Sequence, residues 1–175
     1  MSSLLLACGG PATSETVDPG PAIGTSTTGD ESTVPAAVEG SVELSLRRSD
    51  GSFLEVGELR GRIVVLFVLA TFDGPSQMTV RPLRELVESD PGVEVVGIAA
   101  QQGARLLVDA YEHALSPPFP ITYDPLEQVA IGTSSLGTIE AIPTLVVLDA
   151  RGVERARHVG YCDAACLAEL VSTAR

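Results

Sequence analysis

An apolar run, Ile63 to Ala70, limits the folds open to this chain more than any other segment. The run is rich in β-branched residues and contains no polar side chain, which is typical of a strand buried on both faces of a sheet. Two further strands are predicted at Val93 to Ala100 and Thr144 to Asp149, and helices at Gln77 to Ser89 and Arg105 to Leu115. This alternation of strands and helices predicts the α/β class.

The segments on either side extend the predicted sheet. Apolar and polar residues alternate from Val42 to Leu46, and after a Ser-Asp-Gly turn residues 53–56 can return as a hairpin partner. A short extended piece lies at Pro120 to Asp124, a closing strand at Val153 to Val159 and a last helix at Asp163 to Thr173. We therefore predict a central mixed sheet flanked by helices, with an N-terminal β-hairpin.

Apolar spacing assigns a buried face to each of the first two predicted helices. In the first helix Pro82 is expected to bend the axis. The side chains expected to face inward are Met78, Leu83, Leu86 and Val87 on the first helix, and Leu106, Leu107, Ala110 and Tyr111 on the second.

Composition excludes two classes of function. Hydrophobic residues make up 45% of the chain and charged residues 19%, which is typical of a globular protein. The net charge of -12 leaves no basic surface to neutralise phosphates, so we expect no nucleic-acid partner. No stretch approaches the ~20 consecutive apolar residues of a membrane-spanning helix.

The N-terminal residues suggest a tether. Cys8 follows Leu-Leu-Leu-Ala and precedes Gly-Gly, which resembles a bacterial lipobox and implies lipid attachment at Cys8. Residues 1–8 lack a basic n-region and an apolar run of about 7–15 residues, so either a longer leader precedes them or the match is a coincidence. Residues 9–40 are polar and rich in Gly, Pro, Ser and Thr, which predicts a disordered linker, with or without an anchor, before a folded domain at 41–175.

Four passages in this order resemble the thioredoxin-like fold of bacterial envelope thiol–disulfide oxidoreductases and redoxins, the superfamily of alkyl hydroperoxide reductase and thiol-specific antioxidant proteins. They are Leu59 to Phe67, Ala70 to Ser76, Ala141 to Asp149 and Arg157 to Gly160. The similarity covers most of the chain from Val42 onward. It implies a cis-proline at Pro143, where a trans proline opening a strand is the alternative.

The resemblance also locates a substrate-binding groove and two active-site positions. Asp73 and Ser76 fill the family's two cysteine positions; if Pro82 fixes the alignment instead, the second position moves to Gln77. No alignment places a thiol there, so these are degenerate active-site positions. The implied groove residues are Phe72, Asp73, Gly74, Pro75, Ile142 and Pro143.

Two further observations bear on catalysis at this turn. Some thioredoxins keep a buried acid six residues before the nucleophile, and here that position is Phe67, which cannot relay a proton. Asp73 can serve as a helix N-cap, whereas a hydrolytic Asp or Ser nucleophile would need a paired acid or base, and no His is near in sequence. We therefore expect no confident catalytic residue at the turn.

The remaining reactive residues are His158, Cys162 and Cys166. Cysteines four apart at the start of a helix have Cα atoms close enough to bridge, which favours a structural disulfide in an oxidising compartment. A displaced redox pair is a second interpretation. A copper or zinc site with His158 is a third, although strand alternation need not turn His158 toward the cysteines. His113 is expected to be a surface residue.

These observations predict a lipid-anchored protein of the bacterial cell envelope that faces the periplasm or the exterior. It lacks the usual redox dithiol, and we expect it to bind or scaffold a protein or peptide partner, with no cofactor. The alternative is an oxidoreductase or antioxidant-type redoxin that uses Cys162 and Cys166. Resemblance to a fold alone would name the enzyme without identifying its site.

Overall fold

A computed structural model describes residues 40–175 of the chain. The predicted lipidation site at Cys8 and almost all of the predicted linker lie outside the described residues. Seven strands form one mixed sheet in the order β2-β1-β5-β4-β3-β6-β7. The strands are Ser45–Arg48 (β1), Phe53–Glu55 (β2), Ile63–Leu69 (β3), Val93–Ala99 (β4), Ile121–Tyr123 (β5), Thr144–Leu148 (β6) and Glu154–Val159 (β7).

The direction of the strands decides which loops meet at each edge of the sheet. β3, β4 and β5 are parallel to one another, whereas β1, β6 and β7 pair antiparallel with their neighbours. The end of β3 therefore lies beside the start of β6 and the end of β7. The predicted α/β class, the mixed sheet and the N-terminal hairpin are confirmed.

Within residues 40–175, four helices accompany the sheet: Gly74–Ser89 (α1), Val108–Leu115 (α2), Gln128–Ile131 (α3) and Ala164–Ser172 (α4). Short 3-10 turns occupy Val56–Leu59 and Ala104–Leu106. α3 was not predicted because four residues are too short to show a periodicity. No helix of the described residues is long and apolar enough to cross a membrane.

The two faces of β3 contribute to two separate hydrophobic clusters. Val65, Phe67 and Leu69 pack with residues of α1, α2 and α4, while the alternate side chains pack beneath the N-terminal hairpin. Side chains alternate between faces along a strand, so an unbroken apolar run is what a two-sided core requires. The predicted burial of this strand is confirmed.

The predicted helix faces were partly wrong. α2 begins only at Val108, after a 3-10 turn, which shifts its phase relative to a continuous helix from residue 105. Leu106, Leu107 and Ala110 are therefore exposed, and Tyr111 is the one predicted side chain that is buried. On α1, Met78 is 62% exposed, because it lines an open groove instead of the core.

The hairpin of β6 and β7 is held by Asp149, an acidic side chain that is 8% exposed. Its Oδ1 accepts from the N–H groups of Arg151 and Val153, at 2.9 and 3.0 Å, and its Oδ2 accepts from the Arg155 guanidinium. Burial raises the pKa of Asp149, but these bonds outweigh it and hold the pKa below its ordinary value. The ionised carboxylate thus stabilises the hairpin that carries Pro143 and His158.

Candidate functional site

The turn between β3 and α1 is built around Asp73. Asp73 has an extended backbone and is the N-cap of α1, and Pro75 lies in the first turn, where a missing N–H costs nothing. The Asp73 Oδ2 accepts from the Ser76 N–H at 2.7 Å, so the carboxylate occupies the electropositive end of the helix. α1 begins at Gly74, three residues earlier than predicted.

Ser76 completes this cap. Its hydroxyl donates to Asp73 Oδ2 at 2.7 Å and accepts from the Ala70 N–H at 3.4 Å, and the residue is fully buried. Gln77 is exposed and donates instead to the Thr71 carbonyl at 2.9 Å. The two side chains that contact each other are therefore Asp73 and Ser76, and not Asp73 and Gln77.

Gln101, which the sequence analysis missed, fixes the other side of this turn. Its Oε1 accepts from the Thr71 N–H and its Nε2 donates to Thr71 Oγ1, both at 2.6 Å. Gln101 follows the end of β4, and β4 runs parallel to β3 with Leu69 opposite Ala99. The sequence signal that indicates Gln101 is its position as a polar residue just after a strand that lies beside β3.

Pro143 lies beside the turn, as the strand register requires. Thr144 pairs with Val68, so the residue before Thr144 is brought next to the end of β3. The Ile142–Pro143 peptide bond is cis, as predicted. The Pro143 carbonyl accepts from the Gly160 N–H at 2.7 Å. Within residues 40–175 neither the N–H nor the carbonyl of Ile142 has a hydrogen-bond partner.

Two large side chains that adjoin these residues in the sequence are exposed. Phe72 is 75% exposed and Tyr161 46% exposed. Between α1 and the segment before α4 runs an open groove of about 500 Å³. Its lining residues are Gln77, Met78, Arg81, Pro82, Glu85, Tyr161, Asp163 and Ala164.

Among residues 40–175, no carboxylic acid is buried behind the turn. Phe67 is fully buried in the cluster beneath α1. Tyr111 is 5% exposed, and among the described residues its hydroxyl has no hydrogen-bond partner. Burial, and then the charge of Asp73, raise the pKa of Tyr111 to about 12. At neutral pH this phenol stays protonated and is a poor general base.

Neither histidine activates Asp73 or Ser76. His113 is exposed on α2 and contacts Asp109, as a surface residue would, and His158 Nε2 lies 3.1 Å from the Tyr161 carbonyl oxygen. A hydrolytic nucleophile needs a base within hydrogen-bond reach, and the described contacts of Asp73 include none. The arrangement at Asp73 is that of a helix cap.

A second group of reactive residues lies at the start of α4. Cys162 and Cys166 form a disulfide, with Cα atoms 5.5 Å apart. Asp163, between them, is the N-cap of α4 and accepts from the Cys166 N–H at 2.9 Å. Cys162 is 1% exposed, whereas Cys166 and His158 are half-buried. One ring nitrogen of His158 and the two sulfur atoms all lie within 4.8 Å of one another, so His158 does face the cysteines.

The comparisons with known proteins rest on structure alone. No protein-family model matches the sequence, and no curated protein matches it. A solved thioredoxin-family thiol:disulfide interchange protein from Chlorobium tepidum aligns over 77% of this chain and 94% of its own, with a TM-score of 0.62 and 23% identity. The fold is thioredoxin-like.

Two further solved structures share this thioredoxin-like fold. One is a secreted disulfide oxidoreductase of Mycobacterium tuberculosis, at TM-score 0.60 and 15% identity over 74% of this chain and 94% of its own. The other is an exposed lipoprotein thioredoxin of Streptococcus pneumoniae, at TM-score 0.59 and 16% identity over 74% and 98%. At such identities the likeness establishes the fold. In the described part of this thioredoxin-like chain, both cysteines lie at α4 and neither at the start of α1.

Proposed function

We propose that this protein binds extended segments of other proteins at the surface beside Phe72 and Pro143, and performs no dithiol exchange there. The observation that carries the proposal is the pairing of two features at one edge of the sheet. Asp73 and Ser76 bond to each other at the start of α1, while the backbone of Ile142 remains open beside them.

The start of α1 offers no side chain that could act as a nucleophile. A thiolate at a helix N-terminus is stabilised by free N–H groups and by the helix dipole. Here the Asp73 carboxylate accepts the Ser76 N–H that would otherwise stabilise such an anion, and Ser76 has no exposed surface. A side chain with no solvent access and both hydrogen-bonding roles filled cannot attack a substrate.

The neighbouring backbone is open for binding. An extended segment can add to an unpaired N–H and carbonyl in the manner of an extra β-strand, and exposed aromatic residues supply affinity for its side chains. Ile142 offers the backbone groups and Phe72 the exposed ring. The net charge of -12 favours partners with basic residues.

The proposal includes a location outside the cytoplasm. A disulfide between Cys162 and Cys166 fits an oxidising compartment. Two of the structural neighbours are described as a secreted protein and an exposed lipoprotein. We further propose that Cys8 carries the lipid, so that with a complete signal sequence the protein partitions into detergent and Cys8→Ser releases it.

Binding is tested with a polypeptide that cannot exchange disulfides. The probe is reduced, carbamidomethylated lysozyme, which is unfolded, basic and free of thiols. At physiological salt, which screens the long-range attraction between the chain and the probe, we expect saturable binding to the full chain. Phe72→Ala should weaken binding about tenfold, equivalent to ~1.4 kcal/mol.

Phe53→Ala is the matched control. Phe53 is 54% exposed and belongs to β2, at the far end of the strand order from β3 and β6. Its loss should leave the affinity unchanged. Equal weakening by both substitutions would show nonspecific adhesion, and absence of saturable binding would refute the proposal.

Thiol–disulfide exchange by Cys162 and Cys166 is the second candidate function. The disulfide itself favours it, because it gives the chain an oxidisable pair at a helix start, and Cys166 is accessible enough to be attacked. Against it stands the burial of Cys162, at 1% exposure. Turnover of a disulfide substrate that disappears in Cys162→Ser would favour this function over binding alone.

A further inference from the structure

We propose that the reduced form of this protein binds one Cu(I) ion through His158, Cys162 and Cys166. The inference is independent of the surface beside Phe72 and Pro143 and concerns the start of α4. A nitrogen and two sulfur atoms within 4.8 Å of one another can converge on a single ion with small side-chain rotations. Thiolate and imidazole are the ligands that soft metals prefer.

Two local features prepare these ligands. Gly160 has a φ of 100°, which turns the chain after β7 so that Cys162 returns toward His158. His158 Nε2 lies 3.1 Å from the Tyr161 carbonyl oxygen, a contact that holds the imidazole ring in its orientation.

The number of ligands favours copper over zinc. Structural zinc sites take four protein ligands, whereas Cu(I) is stable with two or three soft ones. Within residues 40–175 the group contains His158, Cys162 and Cys166 and no fourth His, Cys, Asp or Glu. Burial of Cys162 and partial burial of the other two would also limit access of water and oxygen to the ion.

Binding is coupled to the redox state of the cysteines. In the disulfide form both sulfur atoms are bonded to each other and offer no thiolate. A dithiol reductant transfers two electrons and two protons to the disulfide and itself becomes a disulfide, which leaves two thiols on the chain. One Cu(I) ion then displaces one proton from each thiol, so the same residues alternate between a disulfide and a metal site.

The test is a competition for Cu(I) under anaerobic conditions, with the ion supplied as a complex with a chromophoric Cu(I) chelator. The full chain carries Cys8→Ser so that the thiols at α4 are the only ones. We expect the reduced protein to remove one equivalent of Cu(I), with near-ultraviolet thiolate-to-copper absorbance, and the oxidised protein to remove none. That comparison needs no further substitution, so misfolding of a variant cannot explain it.

Single substitutions then assign the ligands. Cys162→Ser or Cys166→Ser should lower the affinity by more than the ~10–100-fold typical of outer-sphere partners, and His158→Gln by at least about tenfold. His113→Gln, which removes the chain's other histidine, should change nothing. Equal Cu(I) uptake by oxidised and reduced protein, wild-type affinity in His158→Gln, or displacement of the copper by equimolar Zn(II) would overturn the proposal.

Discussion

Helices α1 and α4 begin at the same edge of the sheet and with the same cap, but only α4 begins with cysteines. Asp73 accepts from the Ser76 N–H at 2.7 Å, and Asp163 accepts from the Cys166 N–H at 2.9 Å, each three residues along the chain. At α1 the third residue is a serine bonded back to the cap; at α4 it is a cysteine joined to Cys162.

The difference separates the requirements of the fold from those of its chemistry. A helix start needs an acceptor for its free N–H groups, and a carboxylate fulfils that need as well as a thiolate would. The start of α1 beside cis-Pro143 is therefore formed without a cysteine. The thiols at α4 lie partly within the core, in an arrangement better suited to a crosslink or a metal ion than to an exposed reactive turn.

The largest expected effect comes from placing a pair of cysteines at the start of α1, where α4 has one. Asp73→Cys with Ser76→Cys, on a background with the native cysteines replaced by serine, should form a disulfide readily. The first thiol should have a pKa below ~8.5, because the helix N-terminus favours the thiolate. Thiol titration against pH and the redox equilibrium with glutathione measure both properties.

The control for this graft moves the second thiol by one residue. Asp73→Cys with Gln77→Cys should pair less readily, because Gln77 points away toward the Thr71 carbonyl. Phe67 should make the grafted pair slow in turnover, since it cannot relay protons. Two unperturbed thiols that resist pairing in both variants would mean that this turn does not correspond to the thioredoxin active site.

Removing each cap compares the two helix starts in stability. Asp73→Ala should lower the free energy of unfolding by about 2 kcal/mol, because it removes a cap and leaves the buried Ser76 hydroxyl without its acceptor. Asp163→Ala should cost about 1 kcal/mol or less, since the disulfide also holds the first turn of α4. Urea denaturation of the oxidised proteins measures both. A larger loss for Asp163→Ala would reverse the comparison.

Reduction of the disulfide should cost no more than about 2 kcal/mol of unfolding free energy, because the closed loop is very short. Urea denaturation with and without a dithiol reductant measures this. In the reduced protein the cost of Asp163→Ala should rise, as the cap alone then holds the helix start. If the losses of unfolding free energy from Asp163→Ala and from reduction simply add, the cap and the disulfide act independently.

The smallest expected effect is that of the Asp73 charge on the pKa of Tyr111. The folded-state pKa of Tyr111 is about 12, against 10.0 ordinarily. The protonated phenol therefore contributes to the free energy of unfolding below pH 10, and this contribution is lost as the pH rises toward 12. Asp73→Asn should lower the pKa while burial keeps it above 10. Tyrosinate absorbance, with Tyr111→Phe to assign the signal, measures it; Asp163→Asn should leave it unchanged.

Much of the fold could be predicted because its signals are local. The unbroken apolar run of β3 has to be buried on two faces, and the turn residues after β1 mark the hairpin. The predicted start of α1 is three residues late because Asp73, Gly74 and Pro75 also fit a turn, although an acidic cap followed by proline is a helix start as well. Local propensity does not distinguish a turn from a helix start at these residues.

The candidate site was less predictable because its contacts are long-range. Gln101 contacts Thr71 across two parallel strands, and the spacing of these residues in the sequence does not predict the contact. The orientation of His158 was left open because strand alternation does not decide it. The turn at Gly160, whose backbone bonds to Pro143, brings Cys162 back to His158.

The central claim, that the surface beside Asp73 and Pro143 performs no dithiol chemistry, is tested most directly by insulin-disulfide reduction with a dithiol reductant. The full chain and its Cys162→Ser, Cys166→Ser double variant are compared with a protein-free blank. The account predicts that both proteins match the blank. Turnover by the native chain that is lost in the double variant would place redox catalysis at α4, and turnover that survives in the double variant would contradict the account altogether.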